Sequence, residues 1–356
     1  MHHPYDSFEA TVERFIRTAA EDPQTVAIKM TVYRVGDDTL FVRSLIKAAE
    51  AGKQVACVVE LKARFDEARN LQWAAELEKV GAHVTFGVTG LKTHAKTALV
   101  VRKEGSGLRC YAHIGTGNYH VRTAKLYTDV GLFTCDPALT SDIVRLFHYL
   151  TGRSECPEFT TVIVSPTAMR RRFLELVNRE IENQRAGRPA RIIAKMNQLE
   201  DPSTIEALCE ASRAGVSVDL IVRGLCCLRP GVPGWSEGIR IRSIIGRFLE
   251  HSRIFHFAAG AEDPRAGEFY IGSADWMFRN LSRRFEVVVP VVARGAKETL
   301  WEILDVGLND ERQAWVLDTQ GRYAQLSPAE SASELQARGT HVTLMERTLQ
   351  RLSQLA

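Results

Sequence analysis

Two histidines, His94 and His251, stand in matching local settings. Each opens a His-x-(Lys/Arg) triplet, His94-Ala95-Lys96 and His251-Ser252-Arg253. Each is followed 21 residues later by the glycine of a Gly-(Ser/Thr)-x-(Asn/Asp) turn, Gly115-Thr116-Gly117-Asn118 and Gly272-Ser273-Ala274-Asp275. A neutral imidazole nitrogen can attack phosphorus while a second imidazole manages the leaving group, and flanking cations and amides can hold the oxygens. The other histidines lack this setting. His2, His3, His83, His120, His148, His256 and His341 read as structural or surface residues, and His113, on the strand leading into Gly115, reads as structural rather than catalytic.

Alternating elements must position these groups. Val12, Phe15, Ile16 and Ala19 recur at helical spacing and predict a helix over Glu9 to Ala20, which feeds a strand over Val26 to Tyr33. A helix over Leu40 to Glu50 stopped by Gly52, a buried strand over Val55 to Leu61, a helix over Trp73 to Val80 and a strand over His83 to Val88 continue the series. Ala95 to Arg102 and Leu108 to Ile114 read as strands joined by the turn Glu104-Gly105-Ser106-Gly107. After Pro157 the series repeats: Ala27-Ile28-Lys29-Met30 corresponds to Ile193-Ala194-Lys195-Met196, and Leu45 to Val59 corresponds to Leu208 to Val222. The pattern is a duplicated α/β unit, with halves expected at 1–160 and 161–356, the second ending in a helical tail. Arg34, Arg64 and Arg223 fall at or just past the ends of predicted strands, where α/β folds gather ligands. Arg170-Arg171-Arg172 reads as solvated charge, Cys226-Cys227 as packing, and Gly115 and Gly117, taken alone, as turn residues.

Length and composition agree with two ordinary domains. At 356 residues the chain exceeds what one core usually organises, and 45% hydrophobic with 25% charged content is that of a soluble globular protein. A net charge of +3 indicates neither a nucleic-acid nor a membrane partner. Seven cysteines without a C-x-x-C pair exclude a disulfide framework and a zinc site of that type, and fit a reducing cytoplasm. No apolar run reaches the length of a membrane span, and Met1 to Glu13 lacks the pattern of a signal peptide.

The paired motifs resemble the skeleton of the phospholipase D superfamily, which implies two α/β domains related by a pseudo-twofold, each with a central mixed sheet flanked by helices. Two positions depart from that pattern: Val101 stands where the aspartate of His-x-Lys-x4-Asp would fall, and Arg253 replaces a lysine. A closer resemblance covers nearly the whole chain. Tyr33-Arg34, Glu60 to Glu67, Gly90 to Lys96, His113 to Tyr119, Leu126 to Asp129, Val222-Arg223-Gly224, Phe248 to Ile254, Ser273 to Met277 and Arg284 to Val287 are similar to the C-terminal catalytic domains of polyphosphate kinases.

That resemblance implies reversible transfer of the γ-phosphate of ATP to inorganic polyphosphate through a phosphohistidine at His94, with His251 as second catalytic histidine. It places nucleotide or phosphate contacts on Tyr127, Arg223, His251 and Arg284, with Lys96 and Asn118 added by analogy with the superfamily skeleton. It implies Mg2+ beside Arg34 and Arg64, which as guanidinium groups read as phosphate ligands near the ion. It further implies a cytoplasmic or membrane-peripheral enzyme, homo-oligomeric at full length, whose N-terminal domains precede the segment beginning at Met1. Two other classes compete: a phospholipase D-like phosphodiesterase, disfavoured by Val101 and the added arginines, and a non-catalytic polyphosphate- or nucleotide-binding fragment, which would not need two matched histidines.

Overall fold

The computed structural model describes residues 1–33, 40–60, 67–155 and 157–355. Local chemistry sets several helix boundaries. Pro137 and Pro202 open the helices Pro137–Leu150 and Pro202–Arg213, where a missing N–H falls among amides that have no intrahelical acceptor. Asp136 caps the first by accepting from the amides of Ala138 and Leu139, and Asp201 caps the second by accepting from that of Thr204. Gly52 and Gly215 follow the matching helices Leu40–Glu50 and Pro202–Arg213 with φ of 79° and 91°, a left-handed backbone that glycine adopts without a Cβ clash.

Contacts divide the chain into two compact units, Met1–Thr167 with Ser282–Val289, and Ala168–Leu281 with Pro290–Ala356. A short segment from the second half of the sequence is therefore part of the first unit.

The strands of the first half are β1 (His2–His3), β2 (Thr25–Val32), β3 (Gln54–Val59), β4 (His83–Thr85), β5 (Lys92–Thr93), β6 (Thr97–Glu104), β7 (Gly107–Gly115), β8 (Tyr127–Thr134) and β9 (Ile163–Ser165). A mixed sheet runs in the order β1-β8-β7-β6-β2-β3-β4, with β2, β3 and β4 parallel and the rest antiparallel. β3 is apolar almost throughout because it is buried on both faces. The helices Arg14–Glu21 and Leu40–Glu50 contribute Ile16, Phe41, Val42 and Leu45 to one core with Ile28, Met30, Val55 and Cys57 of the sheet.

The second half supplies β10 (Arg191–Met196), β11 (Ser217–Val222), β12 (Ile239–Ile244), β13 (Leu249–Glu250), β14 (Ile254–Phe257), β15 (Glu268–Gly272), β16 (Arg284–Val291), β17 (Ala314–Leu317) and β18 (Tyr323–Gln325). In the second unit the order is β18-β17-β12-β11-β10-β14-β15. β10, β11 and β12 are parallel, and β14 returns antiparallel to β10. The repeat is visible in the strand order, β6-β2-β3-β4 against β14-β10-β11-β12, with the register shifted by two residues between the halves. Met30 lies beside Cys57 in β2 and β3, and Met196 beside Val222 in β10 and β11. β6 and β14, each leading away from a histidine triplet, run antiparallel to β2 and β10.

Most of β16 lies in the first unit. There Arg284 and Phe285 pair in parallel with Lys92 and Thr93 of β5, while Glu286 to Val288 pair antiparallel with β9. The chain is thus mixed α/β, with two sheets flanked by helices, as the sequence implied. Three elements differ in detail, among them the helix expected over Trp73 to Val80, which runs Glu67–Lys79. The first helix begins as a π-helical stretch, Glu9–Glu13, before its α-helical part Arg14–Glu21. The strand expected to Val88 ends at Thr85, ahead of Gly87, whose φ of 75° takes the backbone out of the extended region. Among the described residues no helix is long and apolar enough to cross a membrane.

Candidate active site

In the first unit, the parallel pairing of β5 with β16 delivers His94. The amides of His94 and Ala95 both donate to the carbonyl of Phe285, at 2.9 and 3.1 Å. One residue further along β16, the fully buried Glu286 places Oε2 2.9 Å from His94 Nδ1. The segment before His94 is held separately, since the amide of Thr93 donates to Glu60 Oε2 at 2.6 Å. Lys96 is almost wholly buried, and its Nζ donates to the carbonyl of His94 and lies 5.0 Å from the centroid of the Tyr33 ring, which meets His94 edge-on. A carbonyl and an aromatic face are compatible with a charged ammonium at that depth. Arg284 stands opposite Lys92 and, by strand alternation, shares the face of Glu286.

The turn after β7 completes this half. Thr116 Oγ1 donates to Asp129 Oδ1 at 2.6 Å and accepts from the amide of Val130. Asn118 is half-buried, and its Oδ1 makes no hydrogen bond to any described residue. Tyr127, half-buried at the start of β8, shares the strand face of Asp129. His113 is structural, as expected. Its Nδ1 lies 2.9 Å from Tyr119 Oη, and burial pushes its pKa down to about 3.

In the second unit His251 follows β13. Its carbonyl accepts from Arg253 Nη1 at 3.1 Å and Asn197 Nδ2 at 3.3 Å, and Arg253 Nη1 also lies 3.3 and 3.4 Å from the two ring nitrogens. Nε and Nη2 of the buried Arg253 each reach one oxygen of Asp275, both at 3.2 Å. Burial opposes ionisation of Asp275, but Arg253 outweighs it and holds the carboxyl below its ordinary range. Asn197 joins the group: its amide donates to Asp275 Oδ1 at 2.7 Å, and its Oδ1 accepts from Nε and Nη2 of Arg223, each at 3.1 Å.

The unusual Arg253 now has a reason. The offset that relates His94 to His251 also relates Lys96 to Arg253 and Asn118 to Asp275. Where the first unit has lysine and a neutral amide, the second has a guanidinium whose fork matches a carboxylate.

Of the residues singled out from sequence, the first unit gathers His94 and Lys96 directly and carries Arg284, Asn118 and Tyr127 on adjoining segments. The second unit links His251 and Arg223 through Asn197. Arg34 and Arg64 lie outside the described residues. Glu286, Glu60 and Asn197 are additions that the structure makes. Glu286 had a signal, since it stands to Asp129 at the same offset as His251 to His94. Among the described residues no group of three or more His, Cys, Asp or Glu side chains could hold a metal ion. Arg170 is not simply solvated: it pairs with Asp201 at 2.8 Å and lies over the Phe278 ring.

Comparison with known proteins agrees with this geometry. Residues 1–156 match the family described as polyphosphate kinase C-terminal domain 1, and residues 162–338 match polyphosphate kinase C-terminal domain 2. The polyphosphate kinase of Thermosynechococcus vestitus is 57% identical over 349 residues, 98% of this chain and 47% of its own length. That of Neisseria meningitidis serogroup B is 49% identical over 346 residues, 97% of this chain and 50% of its own. The crystal structure of polyphosphate kinase from Porphyromonas gingivalis superposes with a TM-score of 0.89 at 34% identity, covering all of this chain and 53% of that one. Phosphatidylserine synthase from Haemophilus influenzae, at 10% identity and a TM-score of 0.55, covers 97% of this chain and 92% of its own, and shares the fold alone. The chain spans about half the length of the curated relatives it matches.

Proposed function

This chain belongs to the polyphosphate kinase family, and from that premise we propose that its paired halves, 1–160 and 161–356, carry the phosphoryl-transfer chemistry between ATP and inorganic polyphosphate. The observation that carries the reading is the bond between His94 Nδ1 and the buried Glu286 carboxylate. A carboxylate can only accept, so Nδ1 keeps its proton and Nε2 is the nucleophilic nitrogen.

In the first step Nε2 forms a bond to the γ-phosphorus as the bond from that phosphorus to the β-phosphate oxygen breaks, and ADP leaves. Glu286 holds the Nδ1 proton and stabilises the positive charge that the ring acquires. In the second step a terminal oxygen of polyphosphate attacks the phosphoramidate, the N–P bond breaks and Nε2 recovers its electron pair. Both linkages are high in energy, so the reaction runs in either direction. His251 assists by proton transfer or by stabilising the departing phosphate. Lys96, Asn118, Tyr127, Arg223 and Arg284 hold phosphate oxygens, which is where most of the catalysis of phosphoryl transfer arises.

The guanidinium groups of Arg34 and Arg64 have no lone pair to offer magnesium and do not fit as its ligands. Mg2+ enters this reading as the counter-ion of the nucleotide phosphates, and Arg34 and Arg64 as phosphate ligands. The reading is of a cytoplasmic or membrane-peripheral enzyme that is homo-oligomeric at full length.

Incubation with γ-labelled ATP and magnesium tests the proposal. The expected label is stable to alkali, labile to acid and absent from His94→Ala. A label that persists in His94→Ala, or hydrolysis of a phosphodiester without ATP, would overturn it.

A further inference from the structure

A buried network that the proposed chemistry does not use fixes the segment Glu250 to Ser252. Lys195, on β10, is buried. Its Nζ lies 2.5 Å from Glu250 Oε2 and donates to Ser252 Oγ at 2.6 Å. A single ammonium thus ties down both sequence neighbours of His251. The other oxygen of Glu250, Oε1, lies 2.8 Å from Nε2 of His341, a fully buried ring in the first turn of the C-terminal helix Thr340–Leu355. Nδ1 of His341 faces donors, Nε2 of Gln313 at 3.1 Å and the amide of Phe248 at 3.4 Å. The proton therefore sits on Nε2, and the ring donates to Glu250.

The start of that helix is anchored in turn. Asp310 Oδ2 accepts from the amide and the hydroxyl of Thr340, both at 2.6 Å, and Gln313 Oε1 accepts from the amide of His341 at 3.0 Å. Gly246 leaves the room required, since a Cβ there would run into Gln313 and the His341 ring. Burial opposes ionisation of Glu250, yet Lys195 and the hydrogen bond from His341 outweigh it and hold the carboxyl well below its ordinary range. The first half holds its histidine by other means: the amide of Thr93 on Glu60 and the ring on Glu286. Lys29, the repeat counterpart of Lys195, is only half-buried.

We propose that His341 is a positioning residue for His251, acting through Glu250 and Lys195, so that the C-terminal helix sets the placement of the second histidine. The proposal rests on the reading of His251 as part of the transfer machinery. Two measurements on the full chain separate it from that reading. The first is nitrogen NMR of the histidine rings. In His341→Ala the His251 resonances should shift and broaden while those of His94 hold, and His341→Gln, which keeps an N–H for Glu250, should largely restore them. Unmoved His251 resonances overturn the proposal whatever the activity.

The second is transfer of label from γ-labelled ATP. His341→Ala should lower kcat about 10-fold or more with little change in KM, as expected for a misplaced catalytic group. It should cost nothing further when added to His251→Ala. The same fold loss in both backgrounds means a merely structural role and overturns the proposal. An unchanged rate in His251→Ala overturns the functional reading of His251 instead. Should His341→Ala not fold, Glu250→Gln is measured in the same way with the same criteria.

Discussion

As the proposed nucleophile, His94 depends on one buried carboxylate. Glu286 fixes the tautomer, so replacing it separates acceptor strength from shape. Glu286→Leu removes the acceptor for the Nδ1 proton and should slow formation of the acid-labile label by about 100-fold or more, within the range of a lost acid–base partner. Glu286→Gln keeps a neutral acceptor and should lose less. Quenched-flow labelling, with circular dichroism to verify folding, gives both rates; equal losses would mean that charge and acceptor do not matter separately. His94 itself was legible in the sequence because the repeat marks it twice. Its partner was harder to find, because 192 residues separate the two and no local motif joins them; only the repeat offset that Glu286 shares with Asp129 pointed to it. Asn197 was hidden for a different reason: a lone asparagine at a strand end carries no pattern, although it links Asp275, Arg223 and the His251 carbonyl.

At the scale of elements, strands and helices followed from the sequence wherever one face is buried. Apolar spacing set Leu40–Glu50 to the residue, and Ala27 to Met30 and Ile193 to Met196 lie in equivalent strands. What spacing could not supply is the membership of β16, since a strand reads the same whichever sheet receives it. The turn at Gly115 to Asn118 also has a cause that sequence alone left open. Gly117 does not have a positive φ; it is needed because a Cβ there would run into the Asp129 carboxylate. Gly117→Ala should therefore displace Asp129 from Thr116 and destabilise the first unit by about 1 to 3 kcal/mol, the usual cost of overpacking. Thermal unfolding measures this, and an unchanged melting temperature would refute the steric account.

For the whole molecule, two buried histidines stay neutral well below the usual imidazole range: His113 in the first unit, with a pKa of about 3, and His256 in the second, with a pKa of about 4, both lowered mainly by burial. An unfolded histidine binds its proton near pH 6.5, about where a free imidazole does. Below that pH the unfolded chain takes up protons that these folded rings refuse, so stability falls as pH falls, by about 1.4 kcal/mol per pH unit for each ring. His256→Gln, which retains a donor for the carbonyl of Pro264, should flatten the pH dependence of the second unit's urea midpoint between about pH 6 and pH 4.5. An unaltered slope would show that His256 does not govern it.

The two units also differ in when they can be finished. Because Ser282–Val289 belongs to the first unit, a ribosome that has made every residue up to Ser165 has still not supplied the strand that seats His94. His94 is synthesised early but meets its carboxylate only after most of the second half has emerged, and the network around His251 closes later still, when His341 of the last helix arrives; a chain stopped before Ser282 carries both histidines in sequence and neither in its finished setting.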